Sequence, residues 1–371
     1  MVIIYGGETS MIVLQIIVFL LGLLITLATL SSAIRQTVLP GRKSVRLSRT
    51  LFRTTFLLFR LVIVRIQSKA VSSALSAFYA PMSVMLLPIT WVILILIGFS
   101  MMFWGVNHPS LGTSLSLSGA AITTEGFLAP KGVGQTTLYI LEGIIGLGIV
   151  GLFITFLPTA YSIYSQREIV VTRVAFRFGA PPSGVQILAQ AYRLGLAQEI
   201  DELWRTWEIW FTAMAETHIS NSGVIFYHSS QPGTSWITTA GAILDASALF
   251  SSTVDREDVP WVHLCFQAGC RTLRDIVTEV ARSSIASALA SEKAIHMTRA
   301  EYDAACETLS NSGVPLKADR EESWRDFVNM RGQYDTFLIA LANLVYAPKA
   351  PWSSDRTLGI APGKLMRLGP G

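Results

Sequence analysis

VNHPSLGTSLSLSGAAITTEGFLAPKGVGQ, residues 106–135, separates two long apolar runs and decides how the chain is read. A plain connection between neighbouring helices could be much shorter. Residues 112–123 are too short to cross a bilayer and too rich in Ser, Gly, Ala and Thr for an ordinary surface loop. Small residues of this kind allow close helix packing inside a membrane. The stretch therefore predicts a short helix that enters the bilayer and stops. Its C-terminal end would carry about half a negative charge, which favours a cation.

The flanks set the context. Residues 81–105 are apolar and end on Phe103 and Trp104, and residues 136–164 are apolar with Tyr139 near one end and Tyr161 and Tyr164 near the other. Aromatic rings favour the membrane interface. A further uncharged run, residues 11–34, is long enough to span, since a helix needs about 20 apolar residues. No Lys or Arg precedes it and a basic cluster follows, which argues for a retained helix over a cleaved signal peptide. The expected fold is an all-α membrane protein of three spanning helices, with a re-entrant helix and loop between the second and third. A mainly helical domain then faces the cytoplasm.

Charge supports this order. Before Glu168 the only acidic residues are Glu8, Glu125 and Glu142, and beyond it the composition is that of a soluble protein. Charged residues are 15% of the whole, against about 25% in soluble domains. Arg35, Arg42, Lys43, Arg46, Arg49, Arg53, Arg60, Arg65 and Lys69 form a run free of acids, and Arg167, Arg173 and Arg177 follow the third span. All positive flanks then fall on one side, which sets the N-terminus outside, residues 35–80 and the C-terminal domain in the cytoplasm, and residues 106–135 outside. The basic run is read as a response to anionic headgroups of the lipid bilayer, not to nucleic acid. Arg46, Arg49, Arg53 and Arg60 share one sector of a helix, as expected of an interfacial amphipathic helix. A voltage sensor would need more spans before it. The expected divisions are 1–40, the first span; 41–80, the interfacial helix; 81–165, the pore module; 166–346, the cytoplasmic domain; and 347–371, an irregular tail.

The residues Thr123, Thr124, Glu125, Gly126 and Phe127 follow the short helix. The order of span, short helix, Thr-Thr-x-Gly-aromatic and span resembles the pore module of tetrameric pore-loop cation channels, potassium channels among them. In that family the residues after the pore helix replace the ion's hydration shell. The resemblance makes these five the selectivity filter, with Thr124 at the Thr position of TVGYG, Glu125 at Val, Gly126 at the first Gly and Phe127 at Tyr. Leu128 stands where the second Gly belongs. Four copies of Glu125 would form a carboxylate ring, as in bacterial sodium channels, so the resemblance implies passage of K+, or of Na+ and K+ without discrimination. It further implies a homotetramer in the plasma membrane, a bacterial inner membrane, and an inner helix that bends at Gly143, Gly146, Gly148 or Gly151 to gate. Glu142 is expected to brace the filter or to sit in the outer vestibule. The alternative is a membrane-anchored cytoplasmic sensor or scaffold whose spans do not conduct.

The C-terminal domain carries no Walker motif and no GxGxxG after a strand, and an enzyme is not expected there; no cofactor or metal is implied. His263, Cys265, Cys270 and Cys306 fit no standard zinc spacing. Trp204, Trp207 and Trp210 are expected on a core face or a subunit contact. Glu216, His218 and His228 fix no nucleophile. Helices are expected over 188–211, 254–290, 298–309 and 320–346, with loop or short strands over 219–237. Thr298 and Glu301 are spaced as a capping box.

Overall fold

The computed structural model describes residues 5–37, 69–196, 199–220, 222–256, 259–281, 286, 289 and 296–358. Among these the chain is helical, and its one β feature is an isolated antiparallel bridge between Val254 and Leu316. The predicted interfacial helix lies, for residues 41–68, outside the described residues. The chain divides into two compact units at Ala160–Tyr161.

In the first unit lie α1 (Tyr5–Thr37), α2 (Lys69–Asn107) from Pro81 onward, α3 (Leu111–Ile122) and the start of α4 (Gly132–Phe178), while residues 69–80 of α2 group with the second unit. Three of them, α1, α2 and α4, are long and apolar enough to cross a membrane. Ile12, Ile16, Leu20, Leu24 and Leu27 of α1 are each more than half exposed, as are Ile140, Ile144, Leu147 and Ile154 of α4. Apolar stripes of this length suit hydrocarbon, not water. The ends differ from expectation. Residues 69–80, read as the close of the interfacial segment, are already the first turns of α2. The third helix begins at Gly132 and runs without a break past the compositional boundary at Glu168, with Pro158 inside it. Composition marks where the surroundings change, and a helix need not end there.

Glycines bring α1 and α2 together. A Cβ on Gly22 would stand 2.4 Å from the Gly98 carbonyl, one on Gly98 would stand 2.4 Å from Thr26 Oγ1, and one on Gly105 would stand 2.9 Å from the Gln15 carbonyl. The pairing of 15 with 105 and of 22 and 26 with 98 makes the two helices antiparallel. Without the apolar driving force that water supplies, backbone-to-backbone approach of this kind is what holds helices together in lipid.

The second unit is a helical domain. It holds the end of α4, then α5 (Gly184–Arg193), α6 (Ile200–Ser220), a 3₁₀ turn (Ser222–Phe226), α7 (Trp236–Thr253), α8 (Pro260–Val280), α9 (Arg299–Asn311), α10 (Arg320–Arg331) and α11 (Asp335–Leu344). Helix α7 is the centre: nearly every residue of it is buried, and α5, α8, α10 and α11 pack around it. Close approaches fix that packing, because a Cβ on Gly184 would stand 2.5 Å from Asp245 Cβ and one on Gly269 would stand 2.7 Å from a Leu244 methyl. Trp204, Trp207 and Trp210 form the core face of α6 against Val170, Val174 and Phe178 of α4. The Thr298–Glu301 capping box is formed at the start of α9. The expected helix over 320–346 is two helices, separated at residues 332–334.

Candidate functional site

The segment between α2 and α4 is pinned where it leaves one helix and joins the next. Asn107 Nδ2 donates to the Lys131 carbonyl at 3.0 Å, and the Lys131 amide donates to Gln135 Oε1 at 2.9 Å. Helix α3 opens on Ser110, whose Oγ accepts from the Thr113 amide. Its buried side is small: Ser114, Ser118, Ala120 and Ala121, with Leu117 and Ile122. Ser118 Oγ lies 3.0 Å from the Leu96 carbonyl of α2 and 2.5 Å from Glu142 Oε1 of α4. At the far end a Cβ on Gly146 would stand 2.6 Å from the Ile122 carbonyl, and one on Gly143 would stand 3.6 Å from that of Ala121.

These contacts measure depth. Leu96 lies eleven residues before Asn107, and Gly143 and Gly146 lie eleven and fourteen after Gly132. At about 1.5 Å per residue, α3 ends roughly 16–21 Å from the level of its entry. Residues 123–131 must then cover that distance back to Lys131, which a nearly extended chain of this length can do at about 3.3 Å per residue.

The turn at the bottom is made by the five predicted filter residues. The amides of Thr123, Thr124 and Gly126 donate to the carbonyls of Gly119, Ala121 and Ala120 at 3.2, 3.1 and 3.3 Å. Thr124 has φ of 58° and Gly126 of 69°, both in the left-handed region. Gly126 adopts it without cost; Thr124, a β-branched residue, does so only under the constraint of the cap. The end of α3 thus has three of its carbonyls engaged by the chain that follows. Thr123, Thr124, Glu125, Gly126 and Phe127 are all exposed in the single chain, Phe127 by 63%.

The four candidate hinge glycines of α4 separate into two roles. Gly146, and less tightly Gly143, make room for the end of α3, whereas Gly148 and Gly151 meet nothing within 4 Å. Glu142, expected about a turn inside its helix, is ten residues in and fully buried. It faces α3, so it braces that helix instead of lying in an outer vestibule. No feature of the sequence pairs Glu142 with Ser118; only their common depth could have suggested it.

A second cluster, in the helical domain, was not anticipated. Arg167 is 2% exposed. Its guanidinium donates to the Val224 carbonyl at 3.0 Å, to the Tyr227 carbonyl at 2.7 Å and to Glu168 Oε1 at 2.9 Å, and stands 3.4 Å from His218 Nε2. The rings of Tyr164 and Trp236 lie over it, and Trp210 Nε1 donates to the Arg167 carbonyl. Burial, with the Arg167 charge beside it, holds His218 well below its ordinary value. Its neutral ring accepts from Arg167. This cluster ties the last turns of α4 to α6, α7 and the loop after the 3₁₀ turn.

A third cluster lies deeper. Arg331 pairs with Asp245 and, at 2.6 Å, with Asp335; Tyr334 donates to Asp245 at 2.6 Å, and Asp335 takes up His296 Nδ1 at 2.7 Å. It binds α7, α10 and α11 into one core. Cys265, Cys270 and Cys306 are separately buried, and burial pushes the Cys270 thiol up to about 12. Glu216 is exposed, and His228 Nε2 meets the Val345 carbonyl. Comparison with protein-family models, with characterised proteins and with solved structures gives no match to this chain.

Proposed function

We propose that the chain forms a homotetrameric pore-loop channel for monovalent cations, with α3 as pore helix and Thr123, Thr124, Glu125, Gly126 and Phe127 as filter. The observation that carries this reading is the course of residues 107–131. A short helix packs between α2 and α4, ending roughly 16–21 Å along them from its entry, and the chain turns back to Lys131, a course that supports a re-entrant segment. Hydrocarbon tolerates such backbone only where protein or a water-filled path covers it. In one chain the turn is exposed, Phe127 by 63%. Three further copies around an axis cover it and leave Glu125 to form a ring facing the ions.

In this reading α2 and α4 line the pore, α1 lies outside them, and the helical domain is cytoplasmic, in a bacterial inner membrane with the N-terminus outside. The free glycines, Gly148 and Gly151, are the bending points of the inner helix. The test is reconstitution in a planar bilayer. A cation current from a four-fold assembly is expected, and Glu125→Gln is expected to lower cation-over-anion selectivity. A monomer in mild detergent, or a current whose selectivity ignores Glu125→Gln, sinks the assignment.

A further inference from the structure

We infer that Glu142 is a positioning residue held as a neutral carboxylic acid, and that as a hydrogen-bond donor it pins α3 between α2 and α4. Ser118 Oγ has two oxygens within reach, the Leu96 carbonyl at 3.0 Å and Glu142 Oε1 at 2.5 Å. A carbonyl only accepts, and a carboxylate only accepts, so the single Ser118 proton can serve one of them. With Glu142 protonated, both contacts become bonds. Its O–H donates to Ser118 Oγ, and Ser118 donates to Leu96, so that one chain of donors runs from α4 through α3 to α2.

The surroundings agree. Glu142 is fully buried, and its Oε2 has no hydrogen-bond partner. Residues 82–107 of α2 and all of α3 carry no ionisable side chain, and on α4 the nearest is Tyr139, a turn away. Lys131 is exposed and eleven residues off. Among the described residues a carboxylate here would be a buried charge without a counter-ion, which proteins avoid. Because the amides of Thr123, Thr124 and Gly126 hang from the end of α3, whatever holds α3 in place also holds the filter. That last step rests on the pore reading; the protonation of Glu142 does not.

Two measurements separate them. Infrared difference spectra of the full-length protein at mildly alkaline pH compare wild type with Glu142→Gln and Ser118→Ala. A carboxylic-acid C=O band is expected in wild type, absent in Glu142→Gln and shifted in Ser118→Ala. Loss of carboxylate bands alone in Glu142→Gln would overturn the proposal. In the bilayer, Glu142→Gln keeps an N–H donor and is expected to keep wild-type selectivity, whereas Glu142→Ala and Ser118→Ala lose roughly fivefold to tenfold, the worth of one net hydrogen bond. A Glu142→Gln protein as unselective as Glu142→Ala would overturn the pinning role. Absence of current in every form, wild type included, would remove the pore reading, and the infrared result would stand by itself.

Discussion

Arg167 and His218 illustrate how one buried charge makes its neighbours dependent on it. The guanidinium serves two backbone carbonyls, Glu168 and the His218 ring. Arg167→Met leaves the Val224 and Tyr227 carbonyls without this donor and the part-buried Glu168 without its partner, and a buried acceptor left unsatisfied costs about 1–3 kcal/mol. A fall of that size is expected in the stability of the helical domain, read by chemical denaturation. His218 adds a pH dependence. Its folded value lies well below 6.5, its ordinary one, so the unfolded chain takes up a proton that the folded domain refuses. The stability it contributes is present above pH 6.5 and declines as pH falls below it. Thermal unfolding followed against pH is expected to show this decline, and His218→Asn to flatten it. Neither role was legible in the sequence. Arg167 reads there as one of three positive flanking residues, because a topology signal and a buried clamp look alike before the chain is folded.

At the scale of elements, α4 shows what spacing can and cannot convey. Gly143, Gly146, Gly148 and Gly151 are equivalent in the sequence, yet of these only Gly146 touches the carbonyl of Ile122. Gly146→Ala forces that carbonyl away and is expected to destabilise the membrane unit by about 1–3 kcal/mol. Gly151→Ala meets open space and is expected to be neutral or mildly stabilising, since alanine favours helix by up to about 1 kcal/mol. Thermal stability of the two variants in detergent checks the contrast. The long spans were readable from their apolar runs, and the α9 start from its capping box. Helix α7 was not. It is buried on all sides, so its sequence has no polar face and no 3.6-residue period to find. The break between α10 and α11 was hidden because a single glycine inside a helical pattern does not by itself end a helix, and it is the C-cap at Gly332 that does so here. The α1–α2 contact was half visible: small residues at Gly22, Gly98 and Gly105 signal close packing, but nothing in the chain says which pairs with which.

For the whole molecule, the capped end of α3 bears on how ions would be gathered in the proposed pore. Three of its terminal carbonyls already hold amides of the next residues. Their partial charge is spent inside the chain, and the attraction at the pore mouth falls to the side chain of Glu125. A ring of full charges acts over a Debye length, about 10 Å at 0.1 M salt and 3 Å at 1 M. Conductance of the wild type is therefore expected to saturate at low salt, because the ring concentrates cations locally. Glu125→Gln should conduct poorly in dilute salt and approach wild type in concentrated salt. In the proposed pore the cap thus makes ion capture a matter of ionic strength, readable from conductance measured over a salt series.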